Sequence, residues 1–315
     1  MIETDVLIIG GGPAGAACAR RLRQNDINCL ILDKVEFPRF KPCAGWITPE
    51  IFEDLNLDVT DYPYGLTRFI SFKIAIKRLK FTLPTRQYAI RRYEFDKWLL
   101  DIGEAPFKKH TVKKISCSDD QYIIDDQYSC KYLVGAGGTN CPVRRRFFSD
   151  SDSNQEGSLI IAIEEEFQYD CVDEACHLWF MQNKLPGYAW YVPKTDGYVN
   201  VGIGGKAEKL KANNDSLKHH WQRLINELDE MGLVREHEYK PKGHSYFLIN
   251  EKQNFRKENA FLIGDAAGLA TRDMGEGIRP AIMSGIMAAE AMITGQDYRL
   301  VSIPKYSLPS IIGLR

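Results

Sequence analysis

The first apolar segments of the chain predict a strand, a helix and a second strand in close succession. Residues 5–9 read Asp-Val-Leu-Ile-Ile, and a near-continuous apolar run of this length is typical of a buried parallel strand. Residues 16–22 are rich in small residues and have helical character. A second apolar run covers residues 28–32 and ends on Asp33. The pattern therefore predicts a β-α-β unit.

Patterns further along the chain predict a second kind of architecture. Residues 197–203 alternate between polar or small and apolar side chains, as strands with one buried face do. A polar helical stretch follows near residues 214–231, and a short strand ending at Ile263 leads to a long helix that runs to about Thr294. We interpret Glu164–Glu166 as a strand end or an exposed face.

Composition narrows the classes of protein to be considered. The 315 residues carry 41 basic and 42 acidic side chains, whereas a nucleic-acid-binding protein needs a basic surplus to neutralise phosphates. None of the eight cysteines forms a Cys-x-x-Cys pair, so we expect no metal site and a cytoplasmic location. No signal sequence is recognisable, and no apolar run approaches the ~20 residues of a membrane-spanning helix, which leaves peripheral membrane contact open.

A glycine motif between the first strand and the first helix predicts a dinucleotide site. Gly10, Gly12 and Gly15 fit Gly-x-Gly-x-x-Gly, with Ala14 inside the motif. The first glycine permits a tight turn, the second lets a pyrophosphate approach the backbone, and the third lets the helix pack on the strand. The helix N-terminus offers free N–H groups to the phosphates, and Asp33 can accept hydrogen bonds from the adenosine ribose. This motif alone leaves FAD and NAD as alternatives.

Residues 261–285 resolve that choice through a resemblance. They contain Gly-Asp directly after a short strand and Gly-Glu-Gly-Ile at the start of the long helix. The chain resembles flavoprotein hydroxylases and, more closely, the geranylgeranyl reductase family, from residue 5 to about residue 294. The resemblance implies that Asp265 holds the ribityl chain of FAD and that the helix directs its amides at the pyrimidine end of the flavin. The cofactor residues predicted in this segment are Gly264, Asp265, Gly275, Gly277 and Ile278.

Two other segments carry the same resemblance. Arg92-Tyr93-Glu94-Phe95-Asp96 matches an Arg-x-x-Phe-Asp segment whose arginine lies near the cofactor, although a surface helix start is an alternative interpretation. Residues 132–144 resemble the family's Gly-Ala-Asp-Gly-x-x-Ser-x-Val-Arg segment. In this chain, Gly137 stands in place of the aspartate and Cys141 in place of the serine. That replacement puts hydroxylase-style use of a nicotinamide donor in doubt. The remaining predicted cofactor residues are Lys34, Arg39, Cys43, Ala44, Arg92 and Val112.

Two segments point to the reductase branch of the family. Residues 37–46 resemble its Pro-Arg-x-Lys-x-Cys-Gly-Gly segment, which makes Cys43 the candidate catalytic residue. A half-buried thiol with a packing role is the alternative. Residues 186–193 resemble its Tyr-x-Trp-x-Phe-Pro strand, so we predict that Tyr188, Trp190 and Pro193 bind substrate. An ordinary core strand is the alternative there, and strand alternation predicts that residues 188, 190 and 192 share one face.

These observations predict an α/β fold in which a Rossmann-type FAD-binding domain is interleaved with a mostly antiparallel substrate domain. We assign residues 1–64, 91–155 and 254–315 to the FAD-binding domain and residues 65–90 and 156–253 to the substrate domain. Substrate is expected between the two domains, beside the flavin. Only twenty residues follow Gly295, so we expect a site that is open or covered by a partner or a membrane.

The leading functional hypothesis is reduction of carbon–carbon double bonds in an isoprenoid-like lipid by hydride transfer from reduced FAD. The alternatives are a flavin monooxygenase or halogenase-like enzyme, and an electron-transfer flavoprotein that passes electrons to a quinone. No second Gly-x-Gly-x-x-Gly motif is present, so the electron donor stays open between NAD(P)H and a donor protein such as a ferredoxin.

Overall fold

The computed structural model describes residues 1–118, 120–149, 157–250 and 254–314. In chain order, the strands of this part are β1 (Ile2–Ile9), β2 (Cys29–Asp33), β3 (Trp46–Ile47), β4 (Thr67–Ile76), β5 (Leu79–Ala89), β6 (Phe107–Lys109), β7 (Ile115–Ser118), β8 (Gln121–Ile124), β9 (Tyr128–Gly135), β10 (Leu159–Gln168), β11 (Cys176–Phe180), β12 (Gly187–Lys194), β13 (Tyr198–Lys206), β14 (Lys242–Phe247), β15 (Arg256–Lys257) and β16 (Ala260–Leu262). The helices are α1 (Pro13–Arg23), α2 (Glu50–Asp54), α3 (Arg92–Asp101), α4 (Pro142–Phe147), α5 (Ala207–Ala212), α6 (Leu217–Glu230), α7 (Ile278–Thr294) and α8 (Leu308–Ile311).

The first of two eight-stranded sheets has the order β15-β16-β9-β1-β2-β6, with the β7–β8 hairpin attached to β9. Strands β16, β9, β1, β2 and β6 are parallel, so their carboxyl ends meet at one edge. The β1-α1-β2 unit confirms the predicted β-α-β unit. Ligands of parallel α/β sheets bind at this edge, where the chain leaves the strands.

Helices α1 and α7 pack against each other beneath the first sheet through very small residues. A Cβ at Gly285 of α7 would lie 2.2 Å from the Ala14 carbonyl oxygen of α1, so only glycine permits this approach. The predicted long helix is confirmed as α7. None of the helices in the described ranges is long and apolar enough to cross a membrane.

The second sheet has the order β14-β10-β13-β12-β11-β4-β5-β3. Its neighbouring strands are antiparallel except for the parallel pair β4–β11, which confirms a mostly antiparallel sheet. The predicted division into domains stays a prediction. Trp46–Ile47 lies within the range assigned to the FAD-binding domain, yet it pairs with β5 in the second sheet.

Alternate residues of strand β12 point to opposite faces of the second sheet. Ala189 and Tyr191 pack in the cluster that includes Leu224 and Leu228 of α6, which covers one face. Trp190 and Val192 belong to a different buried cluster, against which Tyr188 packs. The predicted sharing of one face by residues 188, 190 and 192 is therefore confirmed, as is the helix predicted near residues 214–231.

Candidate flavin site

A cavity of about 1110 Å³ lies at the carboxyl edge of the first sheet and extends to β10 and β14 of the second. Ligand pockets usually have volumes of about 300–1,000 Å³, so this cavity is large enough for a dinucleotide. Most of the predicted cofactor residues line it, namely Gly10, Gly12, Ala14, Asp33, Lys34, Arg39, Cys43, Arg92, Val112, Asp265, Gly275, Gly277 and Ile278.

The three glycines of the N-terminal motif are required for different structural reasons. A Cβ at Gly10 would lie 2.3 Å from the Ala136 carbonyl oxygen, and one at Gly15 would lie 2.0 Å from the Gly10 carbonyl oxygen. These two are required by the fold itself. A Cβ at Gly12 would meet only the Arg39 guanidinium, at an ordinary 3.4 Å, and its φ of −71° suits any residue. Gly12 is therefore explained by a ligand in the cavity rather than by internal packing.

This difference predicts opposite effects for two matched substitutions. Gly12→Ala is expected to leave the melting temperature of the apo-protein unchanged and to weaken FAD binding at least tenfold, because the new methyl group occupies space meant for the pyrophosphate. Gly15→Ala is expected to destabilise the fold by about 1–3 kcal/mol through overpacking. Thermal unfolding and FAD titration of both variants test this. A stable Gly12→Ala protein with unchanged FAD affinity would contradict the assignment.

Asp33 is held at the end of β2 by the backbone. Its two carboxylate oxygens accept hydrogen bonds from the N–H groups of Gly11 at 2.8 Å and Val35 at 3.1 Å. Each oxygen keeps a further lone pair for a ligand hydroxyl. This fixed acceptor pair at the edge of the cavity suits the adenosine ribose.

A buried ion pair forms another part of the cavity wall. The Arg92 guanidinium donates two hydrogen bonds to the Asp96 carboxylate, at 2.6 and 2.8 Å, and Arg39 lies 3.4 Å from the same carboxylate. Arg92 also interacts electrostatically with the Cys43 side chain. Burial disfavours the Arg92 charge, but Asp96 and Cys43 outweigh burial, so the pKa of Arg92 is raised. The wall therefore keeps a fixed positive charge beside Cys43.

Asp265 and the start of α7 form a further part of the cavity wall. Asp265 follows β16 and lines the cavity, and its carboxylate has no hydrogen-bond or ion-pair partner within the described residues. The N-terminus of α7 borders the same space through Gly277 and Ile278, and its free amides favour negative charge. This arrangement fits a ribityl hydroxyl at Asp265 and the electron-rich end of a flavin at α7.

Other predicted site residues lie behind the cavity wall. Gly15 and Gly264 make close packing contacts, and Ala44 packs against the cluster that contains Trp190. The substrate candidates Tyr188, Trp190 and Pro193 do not line this cavity. The Tyr188 hydroxyl donates to the Met274 carbonyl at 2.6 Å, the Trp190 indole donates to Asn200 at 2.7 Å, and Pro193 is buried. Their role in binding substrate stays a prediction.

The sequence interpretation missed several side chains of the second sheet. His244 and Tyr246 of β14 line the cavity, and the alternation of residues 242–247 is the signal that could have indicated their shared face. Burial, with Lys41 and Arg92, lowers the pKa of His244 to about 4. The interpretation of Glu164–Glu166 as a strand end or exposed face is wrong for Glu164, which is buried in the middle of β10.

Two protein-family profiles match the chain. One describes an FAD binding domain and matches residues 3–57, and the other describes the geranylgeranyl reductase catalytic domain and matches residues 160–237. The first match contains the glycine motif and Asp33, and the second contains strands β10–β13 with helix α6.

Similar proteins agree over nearly the whole chain. An uncharacterized protein of Methanosarcina barkeri is 33% identical over 93% of this chain and 75% of its own. Digeranylgeranylglycerophospholipid reductase 3 of Methanosphaera stadtmanae is 27% identical, covering 97% of this chain and 82% of its own. Menaquinone reductase of Mycolicibacterium smegmatis is 26% identical, with 93% and 77% covered.

The fold has also been solved in a similar protein. A geranylgeranyl bacteriochlorophyll reductase-like protein from Thermoplasma acidophilum superimposes with a TM-score of 0.80 at 22% identity, covering 95% of this chain and 80% of its own. The glycine loop, the acceptor pair of Asp33 and the unpartnered Asp265 carboxylate fit FAD, which is the cofactor of this protein. The chain belongs to the geranylgeranyl reductase family of FAD-dependent oxidoreductases.

Proposed function

We propose that this protein reduces carbon–carbon double bonds of an isoprenoid-like lipid. The observation that carries the proposal is the match of residues 160–237 to the geranylgeranyl reductase catalytic domain. These residues build the part of the second sheet that closes the flavin cavity. A relative that is named a digeranylgeranylglycerophospholipid reductase supports a substrate with geranylgeranyl chains.

In this proposal, bound FAD supplies the hydride when it is reduced, because redox chemistry belongs to the cofactor. The chain orients the cofactor through Asp33 and Asp265 and stabilises negative charge on it with the N-terminus of α7. Cys43 is the proposed catalytic residue, since it lines the cavity together with the positively charged Arg92 and interacts electrostatically with it. We assign the adjoining apolar face of the second sheet, with Tyr188 and Trp190, to the lipid chain.

A second candidate is reduction of a quinone, favoured by the relative that is named menaquinone reductase. Both candidates share the cavity and the cofactor and differ only in the group that accepts electrons. They separate by the kind of compound that reoxidises the flavin.

The proposed function predicts a specific order of flavin reoxidation rates. Holoenzyme reduced with dithionite under anaerobic conditions is mixed with a geranylgeranyl-chain lipid in detergent micelles, with a quinone that has no isoprenoid tail, or with oxygenated buffer, and flavin absorbance is followed. We expect the lipid to reoxidise the flavin fastest, with saturated product recovered. A fully saturated lipid of the same headgroup is the matched control and should leave the flavin reduced.

Rapid reoxidation by the tailless quinone, with none by the lipid, would replace the proposal by electron transfer. Oxygen consumption that depends on the lipid would instead indicate a monooxygenase.

A further inference from the structure

Glu164 is a buried acid in β10, the strand of the second sheet whose residues Ile161, Ala162 and Ile163 line the cavity. It lies in β10 with 1% of its surface exposed, between β13 and β14. Its Oε1 accepts a long hydrogen bond of 3.5 Å from the Asn200 side chain, and its Oε2 has no hydrogen-bond partner among the described residues. An unpartnered carboxyl oxygen is costly in a core and requires an explanation.

The surroundings of Glu164 connect it to the cavity. The Asn200 amide that reaches Glu164 also donates to the Cys43 carbonyl at 3.3 Å, and Cys43 lines the cavity. Ala162, two residues before Glu164 and on the same face of β10, lines the cavity as well. The Trp190 indole donates to the Asn200 carbonyl at 2.7 Å and fixes the orientation of that amide. Glu164 therefore lies directly behind the wall formed by Cys43 and Ala162.

The packing around Gly202 shows that the Trp190 ring and the Glu164 side chain fit tightly against β13. Gly202 pairs with Glu164 across β13, and a Cβ there would lie 2.7 Å from the Glu164 Cβ and 2.2 Å from the Trp190 ring. Only glycine lets the indole and the carboxyl share this position. Strand β13 therefore leaves space for a glutamate where an apolar residue would be the ordinary choice.

The charges around Glu164 leave it able to hold a proton near neutrality. Burial is the largest influence and raises the pKa of Glu164 to about 7, and the Glu166 carboxylate acts in the same direction. Lys194 and Lys41 oppose the rise, although Lys194 also forms a 2.5 Å ion pair with Glu166. On β14, Lys242 pairs with Glu164, whereas Tyr246 pairs with Ile160. Tyr246 is a neutral phenol, because burial raises its pKa.

Other titratable groups near the cavity suit this role less well. His244 has an unpartnered Nδ1. Its pKa of about 4 makes the imidazole neutral at pH 7, so too little of the protonated form is present to donate a proton. Burial also raises the pKa of Glu276 to about 7, but its Oε1 accepts the Arg279 backbone N–H at 2.8 Å and so caps α7. Among these three groups, Glu164 is the one that combines a raised pKa with a fully buried oxygen that has no hydrogen-bond partner.

We propose that Glu164 supplies the proton that completes reduction of the double bond, an inference that rests on the proposed function. One new C–H bond forms from the hydride, with its electron pair, that reduced FAD would provide. The second forms when the O–H bond at Glu164 Oε2 breaks and its proton passes into the cavity, where it takes up the electron pair of the broken π bond. Glu164 is left as a carboxylate, FAD is left oxidised, and solvent returns the proton to Oε2.

The test combines an infrared titration with single-turnover kinetics. In wild-type holoenzyme without substrate, the carbonyl band of a protonated carboxyl is expected at about pH 6 and is expected to disappear with a midpoint near the pKa of about 7. Glu276 contributes to the same band, because its pKa is also raised to about 7. Glu164→Gln should therefore lose only the Glu164 part of the band, which appears in the difference between the wild-type and variant spectra, while keeping its FAD content and melting temperature. Glu165→Gln is the matched control, because Glu165 points to the opposite face and pairs with His237.

Single turnover with dithionite-reduced enzyme and a geranylgeranyl-chain lipid gives the second readout. The wild-type rate is expected to be constant at low pH and to fall as pH rises through about 7, because only the protonated form donates. Glu164→Gln is expected to lose about 100-fold or more of the rate at pH 6 and to lose this pH dependence. Glu164→Asp, which keeps a carboxyl, is expected to restore part of the rate and the fall with pH.

The possible outcomes separate the two proposals. A protonated-carboxyl band at low pH that is the same in wild type and Glu164→Gln, or a wild-type rate and pH profile in Glu164→Gln, would overturn the role of Glu164 alone. If Glu164→Gln does not fold, the infrared titration and the profile of Glu164→Asp decide. A wild-type enzyme whose flavin no alkene lipid reoxidises would overturn the proposed function and this role with it.

Discussion

Asp265→Ala is expected to lose most of its bound FAD while the apo-protein stays folded. The Asp265 carboxylate lines the cavity and has no partner within the described part of the chain, so its removal breaks no internal contact. A ligand hydroxyl left unpaired costs about 1–3 kcal/mol, which corresponds to roughly 5- to 150-fold weaker binding. Fluorescence titration of the apo-protein with FAD and thermal unfolding measure the two quantities on the same sample.

The control for this variant is Asp297→Ala, which removes an exposed carboxylate paired only with Arg299 at the surface. It is expected to change neither FAD affinity nor stability. If Asp265→Ala binds FAD with wild-type affinity, or if it unfolds without the cofactor, Asp265 has a structural role and the assignment to the ribityl chain is wrong.

Asp96→Ala is expected to destabilise the protein by about 3–5 kcal/mol, the largest stability effect that we predict. Its carboxylate is fully buried and accepts both hydrogen bonds of the Arg92 guanidinium, with Arg39 at 3.4 Å. Removing it leaves a buried guanidinium without its counter-charge. Chemical denaturation of the FAD-free protein measures this effect without a contribution from ligand binding.

Asp101→Ala is the matched control, since it removes a carboxylate from the same helix. Asp101 pairs with Lys97 at 2.5 Å on the exposed side of α3. Pairs of this kind contribute about 0.2–1 kcal/mol. Equal destabilisation by the two variants would show that the Arg92–Asp96 pair is not the buried anchor that the geometry indicates.

Most of the cofactor residues predicted from the sequence lie at one cavity, because the determinants of their placement are local. The glycine loop, the strand before it and Asp33 lie within one β-α-β unit, and Asp265 directly follows a short strand. Hydrogen bonds and steric limits within such a segment hardly depend on the rest of the chain. Even so, the sequence cannot separate Gly12 from Gly15. Gly12 lines the cavity, whereas at Gly15 a Cβ would lie 2.0 Å from the Gly10 carbonyl oxygen.

The substrate side is predicted less completely because it depends on contacts between distant strands. Three successive glutamates suggest an exposed face, and only the pairing of β10 with β13 buries Glu164 opposite Gly202. The same register brings the Trp190 indole onto Asn200. Asn200 lies outside residues 186–193, so no local pattern in that segment can predict this contact. Strand alternation indicates which face of the sheet Trp190 lies on, but not which residue its indole contacts.

The most direct test of the central claim uses menaquinone as the only electron acceptor, because this molecule carries both a quinone ring and an isoprenoid tail. Reduced holoenzyme is mixed with menaquinone without oxygen, and the product is then exposed to air before mass spectrometry and NMR. Air returns a reduced ring to the quinone but leaves a saturated tail unchanged. The account predicts a gain of two hydrogens in the tail that survives air exposure. Flavin that is reoxidised while the product returns entirely to menaquinone would contradict it and would identify the protein as a reductase of the quinone ring.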